Sequence, residues 1–273
     1  MNEMNLSRTF DTVKDYNDFN NHSTLHPLVS VLDLAKADPR HGYKMAFGIY
    51  AIILKQVQCG DLAYGKQTYD YQEGTLVFFG PGQVVDVSNK TELYQPLGNA
   101  LTFHPDLIVG TPLAKRIDEY GFFSYNLSEA LHLSPEEQST ISELMSKIEN
   151  ELKRPIDKHS KKLIASNIGL ILDYCERFYD RQLITREHVN TGILGRFEAL
   201  VNGYFNSEKP YSHGLPTVAY FADQLHLSPN YFGDLVKKET GKSAQEYIQT
   251  KLIEIAKDKI FDSDKTVKEI AFE

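Results

Sequence analysis

Residues 217–241 have the sequence TVAYFADQLHLSPNYFGDLVKKETG, which predicts two short helices joined by a tight turn. The first helix would begin after Thr217, because threonine commonly caps helix N-termini. The next N-cap would be Ser228, followed by Pro229 at the first helical position. Gly241 would end the second helix, since glycine readily adopts the left-handed conformation that follows many helices. Apolar residues at helical spacing give both helices a buried face: Val218, Phe221 and Leu225, then Phe232, Leu235 and Val236.

Helix, tight turn and helix is the arrangement of the helix-turn-helix motif, whose second helix lies in the major groove of DNA. An asparagine on that helix can pair with adenine, and lysines can neutralise phosphates. The candidate DNA-binding residues lie at the start and along the exposed face of the second helix: Ser228, Asn230, Tyr231, Gly233, Asp234, Lys237 and Lys238. An ordinary two-helix corner with solvated charges is the alternative explanation of this local pattern.

The pattern of the first helix recurs 49 residues further on. Thr217–Ala222 is TVAYFA and Thr266–Ala271 is TVKEIA, so threonine, valine and alanine stand at matching positions. Between the two copies, Ser243 and Glu246 have capping-box spacing and predict a helix that extends to about Phe261. Such a helix is about 28 Å long, close to the ~34 Å between successive major-groove entries on one face of DNA. One rigid helix could therefore hold two DNA-reading units.

The chain has 273 residues, a formal net charge of −8, and 41% hydrophobic and 11% aromatic residues, which excludes a wholly disordered protein. This acidic balance argues at first against nucleic acid as a partner. From Ser228 to Lys259, however, there are six lysines and five acidic residues, so this stretch has a charge of +1. The acidity lies mainly elsewhere, and a charge near zero predicts modest, groove-dependent binding rather than strong non-specific binding.

The first third of the sequence indicates β-structure. The continuous apolar run Phe47–Leu54 predicts one buried strand, and further strands are predicted at Thr75–Phe79 and Gly98–Phe103. A turn is predicted at Gly80–Gln83, where proline fixes φ and glycine permits positive φ. Apolar residues also alternate with polar ones in two other places. The first predicts a strand pair at Leu62–Tyr71, and the second consists of Val85 and Val87. Short strands at such intervals suggest a small β-barrel or a sandwich.

The middle of the chain is predicted to be helical. Ser134 and Glu137 have capping-box spacing, with Pro135 at the first helical position. Pro155 would stop this helix, and a second one is predicted from about Ser160 to Gln182. The apolar stripe of the second helix could pack on the sheets or on a second copy of the chain. The candidate dimerisation residues belong to this helix: Leu163, Asn167, Ile168, Ile171 and Cys175.

Several ordered motifs match one known family in register: Leu215–Leu227, Ser228–Phe232, Lys237–Ser243, Ile255–Lys257 and Thr266–Glu273. On these motifs the chain, from about Arg186 to its end, resembles the AraC/XylS family of bacterial transcription regulators. The N-terminal part is similar to that family's cupin-type effector and dimerisation domain. Two segments look like those of one subgroup of these regulators: Phe103–Asp106 and Tyr174–Tyr179.

The resemblance implies a multi-domain α+β protein. Its parts would be a cupin-like β-barrel that senses an effector (1–132), a helical dimerisation segment (133–185), and an all-α helix-turn-helix domain (186–273) truncated in its second repeat. The function implied is sequence-specific binding of double-stranded promoter DNA by a cytoplasmic transcription regulator that activates through ligand-dependent repositioning of its DNA readers. The partners implied are a second copy in a homodimer, a small-molecule effector and RNA polymerase.

Two features depart from the family pattern. The sequence stops at Glu273 within the first helix of the second unit, which would need about 20 further residues to be complete. Gly233 and Asp234 stand where family members often carry base-contacting polar or basic side chains. Asp234 could accept a hydrogen bond from cytosine but would repel a nearby phosphate.

The sequence gives little indication of a disulfide scaffold, a membrane span or a metal site. Cys59 and Cys175 are too few for a disulfide scaffold or a cysteine-rich zinc site, and they fit a reduced cytoplasm. No apolar run is long enough to span a bilayer, so no membrane partner is predicted. The histidines lie singly rather than in metal-binding clusters, and no metal, cofactor or catalytic residue is predicted.

Four aromatic residues could line a ligand cavity or simply form core: Tyr50, Tyr64, Tyr69 and Phe79. A cupin-fold metalloenzyme and a protein-interaction or dimerisation module remain as alternatives.

Overall fold

The structure, a computed structural model, describes five ranges of the chain: 7–55, 74–86, 93–126, 129–185 and 187–262. It is a mixed α/β structure in which β-sheets come first and most of the helices follow. The prediction of a sheet-containing part followed by a helical part is therefore confirmed. The chain divides into two compact units, Met1–Asp180 and Arg181–Glu273.

Two sheets lie in the first unit, within the ranges that the structure describes. In chain order their strands are β1 (Ser7–Phe10), β2 (Val29–Asp33), β3 (Lys44–Phe47), β4 (Tyr50–Lys55), β5 (Thr75–Phe79), β6 (Val84–Asp86), β7 (Gly98–Phe103) and β8 (Leu131–His132). The larger sheet has the order β2-β7-β4-β5-β8 and is antiparallel throughout. The smaller sheet has the order β1-β3-β6, with β1 parallel to β3. In the central strand β4, Ile52 lies opposite Phe78 on β5 and Leu101 on β7.

The predicted single strand Phe47–Leu54 is wrong in one respect, because the chain changes sheets within it. β3 ends at Phe47 and β4 begins at Tyr50. At Gly48, a Cβ atom would lie 2.9 Å from Asp11 Oδ1 and 3.1 Å from Asp11 Cα, so only glycine fits without a shift. The glycine N–H also donates to the Phe10 carbonyl oxygen at 2.9 Å. This crossing depends on a contact distant in sequence, which the apolar run alone does not reveal.

The other predicted strands have mixed outcomes. β5 and β7 have the bounds expected at Thr75–Phe79 and Gly98–Phe103, which confirms both predictions. The turn at Gly80–Gln83 is also present, with Gly82 at a φ of 86°. The strand pair predicted at Leu62–Tyr71, and Val87, lie outside the described residues.

The helices of the first unit are α1 (Val13–Phe19), α2 (Pro135–Leu152) and the greater part of α3 (Ser160–Thr185). The capping box predicted at the start of α2 is present, because Ser134 Oγ accepts from the Glu137 N–H and the Glu137 carboxylate accepts from the Ser134 N–H. A similar box, formed by Thr12 and Asp15, begins α1, which the sequence reasoning did not predict.

Both faces of the larger sheet are covered, and the alternation along β4 shows this directly. Ile52 and Leu54 belong to a core cluster that includes buried residues of α2 and α3. Ala51 and Ile53 belong to a second cluster with residues of the smaller sheet and α1. A strand buried on both faces has a continuous apolar sequence rather than an alternating one.

Three of the five candidate dimerisation residues lie in the core of their own unit instead of on its surface. Ile168, Ile171 and Cys175 are fully buried in the cluster formed with the sheet and α2. Their spacing places them on the inner side of α3, so a second copy of the chain cannot reach them. Leu163 is 48% exposed, and Asn167 is partly exposed with its Nδ2 donating to the Leu163 carbonyl oxygen at 2.8 Å.

The second unit is helical. Its helices are α4 (Glu187–Phe205), α5 (Lys209–His213), α6 (Val218–Gln224), α7 (Pro229–Thr240) and α8 (Ala244–Asp262). The capping box predicted for α8 is confirmed, since Ser243 and Glu246 bond reciprocally at 2.8 and 3.2 Å. The repeat at Thr266–Ala271 lies outside the described residues, so the second DNA-reading unit stays a prediction. In the described part of the chain, no helix is both long and apolar enough to cross a membrane.

Candidate nucleic-acid interface

The turn that joins α6 and α7 is defined by hydrogen bonds of its backbone. Thr217 Oγ1 accepts from the Tyr220 N–H at 3.1 Å and caps α6, as its sequence predicts. At the other end, the Leu227 N–H donates to the Ala222 carbonyl at 2.9 Å and the His226 N–H donates to the Asp223 carbonyl at 3.0 Å. These are the two bonds of a Schellman motif.

His226 takes the left-handed position of that motif. Its φ is 58°, a conformation that glycine usually supplies and that strains other residues. The chain then reverses into α7, where Ser228 Oγ accepts from the Tyr231 N–H at 3.3 Å and Pro229 occupies the first turn. α7 ends at Gly241, which has a φ of 72°, as predicted from the sequence.

Three phenylalanines from three helices hold this pair of helices in place. Phe197 of α4, Phe221 of α6 and Phe232 of α7 have no exposed surface. The Phe197 ring meets the other two edge to face, with centroids 5.3 Å from Phe221 and 4.9 Å from Phe232. Edge-to-face pairs at these distances are favourable beyond the area that they bury. The orientation of α7 is therefore set by its inner face.

The opposite side of α7 is polar and exposed. Asn230, Asp234, Lys237 and Lys238 are exposed and recur at helical spacing. Gly233 is partly exposed, and a Cβ atom added there would meet no heavy atom of the described chain within 4 Å. We call these five residues the α7 outer face. No described helix covers Gly233, so a groove of another molecule could approach the backbone there.

Two predicted DNA-binding residues are not on this outer face. Ser228 is 4% exposed and its hydroxyl is used as the N-cap of α7. Tyr231 is 5% exposed, because it lies beside Phe232 on the inner side of the helix. The prediction that Tyr231 presents its side chain to base edges is therefore wrong in this structure, and its position indicates a packing role.

The positive charge near α7 is concentrated at its C-terminal end. Lys237 and Lys238 lie in its last turn, where cations interact favourably with the helix dipole. Glu246, at the start of α8, offsets part of this charge. The backbone and side-chain hydrogen bonds from Ser243 lower the pKa of Glu246, and the charges of Lys242 and Lys237 lower it further. Lys237 of α7 and an ionised carboxylate are thus neighbours.

Sequence reasoning missed a buried polar contact behind α7. Asn190 of α4 is 1% exposed, and its Nδ2 donates to the Leu183 carbonyl oxygen at 2.6 Å and to Glu239 Oε1 at 3.3 Å. The last four carbonyls of a helix have no partner within it, and Leu183 is in the final turn of α3. Asn190 therefore bonds a carbonyl in the final turn of α3 and also contacts the end of α7. No periodicity or motif marks this residue.

The other candidate groups show no assembled chemistry in the described residues. No three His, Cys, Asp or Glu side chains of the described ranges come together in a way that could hold a metal ion. Cys175 is fully buried, and burial raises the pKa of its thiol. Tyr50 stacks on Phe103 at 4.8 Å and Phe79 stacks on Phe47 at 4.6 Å, so both belong to aromatic packing. Tyr64, Tyr69 and Cys59 lie outside the described residues.

No protein-family model matches the chain, and no curated protein matches it. The interpretation of the α7 outer face therefore depends on its own geometry and chemistry.

Proposed function

We propose that this chain is a DNA-binding transcription regulator of the AraC/XylS type, with α7 as the recognition helix of a helix-turn-helix unit. The observation that carries the proposal is the two-sided character of α7. Its inner face is fixed by Phe232 against Phe197, which also packs on Phe221, while its outer face exposes an amide, a carboxylate and two lysines. A rigid helix with polar side chains on its outer face is what major-groove recognition requires.

Each group on the outer face has a defined task in this proposal. Asn230, in the first turn, is at the end of the helix that enters the groove, and its amide can pair with adenine N6 and N7. Asp234, one turn later, can accept from cytosine N4. Lys237 and Lys238 are one further turn along and would contact phosphates, which position the helix without reading sequence. Gly233 would let the backbone approach the bases closely.

The first unit would act as the sensor part of this regulator. The five-stranded antiparallel sheet, packed against a smaller three-stranded sheet, supports a cupin-like domain in this proposal, and α2 and α3 would carry the surface for a homodimer. Leu163, 48% exposed, and the partly exposed Asn167 are the candidate dimerisation residues that stay on the surface of α3, and they would contribute to that surface. A small-molecule effector and RNA polymerase would be its other partners.

The salt dependence of DNA binding tests this proposal. Duplexes bound by the purified chain would first be selected from a random library, and binding would then be measured by fluorescence anisotropy between about 50 and 200 mM salt. We expect the wild-type affinity to fall steeply with salt. Replacing Lys237 and Lys238 by alanine should lower the slope of log K against log salt by about 1 per lysine. Lys147→Ala, at an exposed position of α2, is the matched control and should leave the slope unchanged. Absence of salt-sensitive binding to any selected duplex would overturn the proposal.

A further inference from the structure

A groove of ≈ 670 Å³ opens on the surface of the first unit, between segment 109–116 and α3. Its floor is apolar, with Leu113 and Ala165 exposed by 6% and 3% respectively. Val109 and Leu170 also line the groove, and they are among the more exposed apolar side chains of this unit, at 61% and 44%. A volume in this range is large enough for a small organic ligand, which would lie along the open groove against its apolar floor.

The rim of the groove is cationic. Four basic side chains line it, and they come from segment 109–116, from the turn before α3 and from the first turn of α3: Arg116, Lys158, Lys161 and Lys162. Asp173 is the one carboxylate among the lining residues, and it already accepts from Arg116 Nη2 at 2.7 Å and from the Tyr120 hydroxyl at 2.6 Å. The three lysines make no ion pair with any described residue. The groove therefore holds an excess of positive charge beside apolar surface.

The carboxylate nearest to these lysines in sequence is engaged elsewhere. Asp157 Oδ1 accepts from the backbone N–H groups of His159 and Ser160 at 2.7 and 3.0 Å, at the start of α3. These bonds fix the beginning of the helix, and Asp157 is not among the residues that line the groove. Among the residues that line the groove, Asp173 is thus the one carboxylate that offsets the charge of the rim.

Gly169 keeps the floor of the groove open. It lies in the interior of α3, where glycine is normally disfavoured because it stabilises a helix less than alanine does. A Cβ atom at Gly169 would be 4.0 Å from Leu113 Cδ1, which is an ordinary contact. Because Gly169 lines the groove, a larger side chain at this position would occupy part of its floor.

From these observations we propose that the groove binds a small organic anion, with a carboxylate or phosphate headgroup held by the lysine rim and an apolar body on the floor around Gly169. The charge selects the headgroup, because a neutral analogue would leave the lysines without a counter-charge. The apolar floor selects the body, because its burial provides the hydrophobic part of the affinity. This binding does not depend on whether the chain binds DNA.

Isothermal titration calorimetry of the full chain with octanoate, octyl phosphate and octan-1-ol tests the proposal. We expect saturable binding of at least one anion with a stoichiometry near one, and binding of octan-1-ol at least about tenfold weaker, since a charge-assisted hydrogen bond contributes that much. Lys161→Glu combined with Lys162→Glu should weaken anion binding by about tenfold or more. Gly169→Leu should also weaken it, because the leucine would occupy part of the apolar floor.

Two matched control variants show whether the effects on binding are specific to the groove. Lys147→Glu reverses an exposed lysine of α2, and Gly203→Leu replaces an exposed glycine of α4, and both should bind the anion as the wild type does. Circular dichroism shows whether each variant is folded, and the lysine variant keeps the test valid if Gly169→Leu does not fold.

Four results would overturn the proposal: no saturable binding of either anion, equal binding of octan-1-ol, anion binding that survives both groove variants, or a groove occupied by another copy of the chain. Sedimentation analysis detects the last case, in which the wild type is a dimer, binds no anion, and becomes monomeric in Gly169→Leu.

Discussion

Asn190 and Glu239 are 49 residues apart in the sequence, and the Asn190 side-chain amide donates to the Glu239 carboxylate at 3.3 Å. The same amide nitrogen donates to the Leu183 carbonyl at 2.6 Å, while Asn190 Oδ1 is buried and has no partner in the described chain. One side chain at the start of the helical unit therefore bonds both the last turn of α3 and the end of α7. The position of the outer face depends on this contact as well as on the phenylalanine cluster.

Asn190→Ala should lower the free energy of unfolding by about 1–3 kcal/mol, because it leaves a buried carbonyl without its donor. Urea unfolding followed by circular dichroism measures the change. Asn202→Ala, at an exposed position of the same helix α4, is the control and should stay within about 0.5 kcal/mol of the wild type. Equal stability of Asn190→Ala and the wild type would show that the contact contributes nothing.

His226→Gly should stabilise the chain. His226 has a φ of 58° at the end of α6, and glycine adopts this conformation without the contact of Cβ with the carbonyl oxygen. We expect a gain of about 1 kcal/mol, seen as a higher Tm in thermal unfolding. His226→Val is the opposing variant and should lower the Tm, since a β-branched residue is the least tolerant of positive φ. A lower Tm for the glycine variant would contradict the geometry of the turn.

The capping box of α8 predicts that the stability of the fold depends on pH. The bonds from Ser243 lower the pKa of Glu246 below its ordinary value of 4.5, so the ionised form stabilises the fold. This contribution is present above pH 4.5 and is lost as the pH falls through the lowered pKa of the folded state. A carboxyl-carbon NMR titration should place the pKa of Glu246 below 4.5 in the wild type and closer to 4.5 in Ser243→Ala. Ser212→Ala, an exposed serine of α5, should leave the pKa of Glu246 unchanged, and an unshifted wild-type value would contradict the box.

The sequence predicted the features that depend on neighbouring residues. Ser134, Ser243 and Gly241 mark helix ends through contacts within one turn, and each is where its pattern indicates. A short, largely apolar run is also a local signal, which explains why β5 and β7 have the predicted bounds.

Features that depend on distant contacts could not be predicted in this way. The break at Gly48 results from the close approach of Asp11, and no pattern within Phe47–Leu54 reveals it. A stripe on α3 contains both Leu163 and Ile168, and only the sheet decides that Ile168 is inside. At the candidate site, Tyr231 has a polar hydroxyl and a helical position that suit base contact, but the neighbouring helices bury it.

The central claim is that the outer face of α7 reads DNA sequence, and Asn230→Ala tests it most directly. The measurement is fluorescence anisotropy at one fixed salt concentration with the selected duplex and with a scrambled duplex, for the wild type, Asn230→Ala and Asn202→Ala. Loss of one base contact costs about 1–3 kcal/mol, so the selected duplex should bind Asn230→Ala roughly 5- to 150-fold more weakly, with binding of the scrambled duplex nearly unchanged. Asn202→Ala should match the wild type on both duplexes. Equal weakening of Asn230→Ala on both duplexes, or no weakening on either, would contradict sequence recognition by α7.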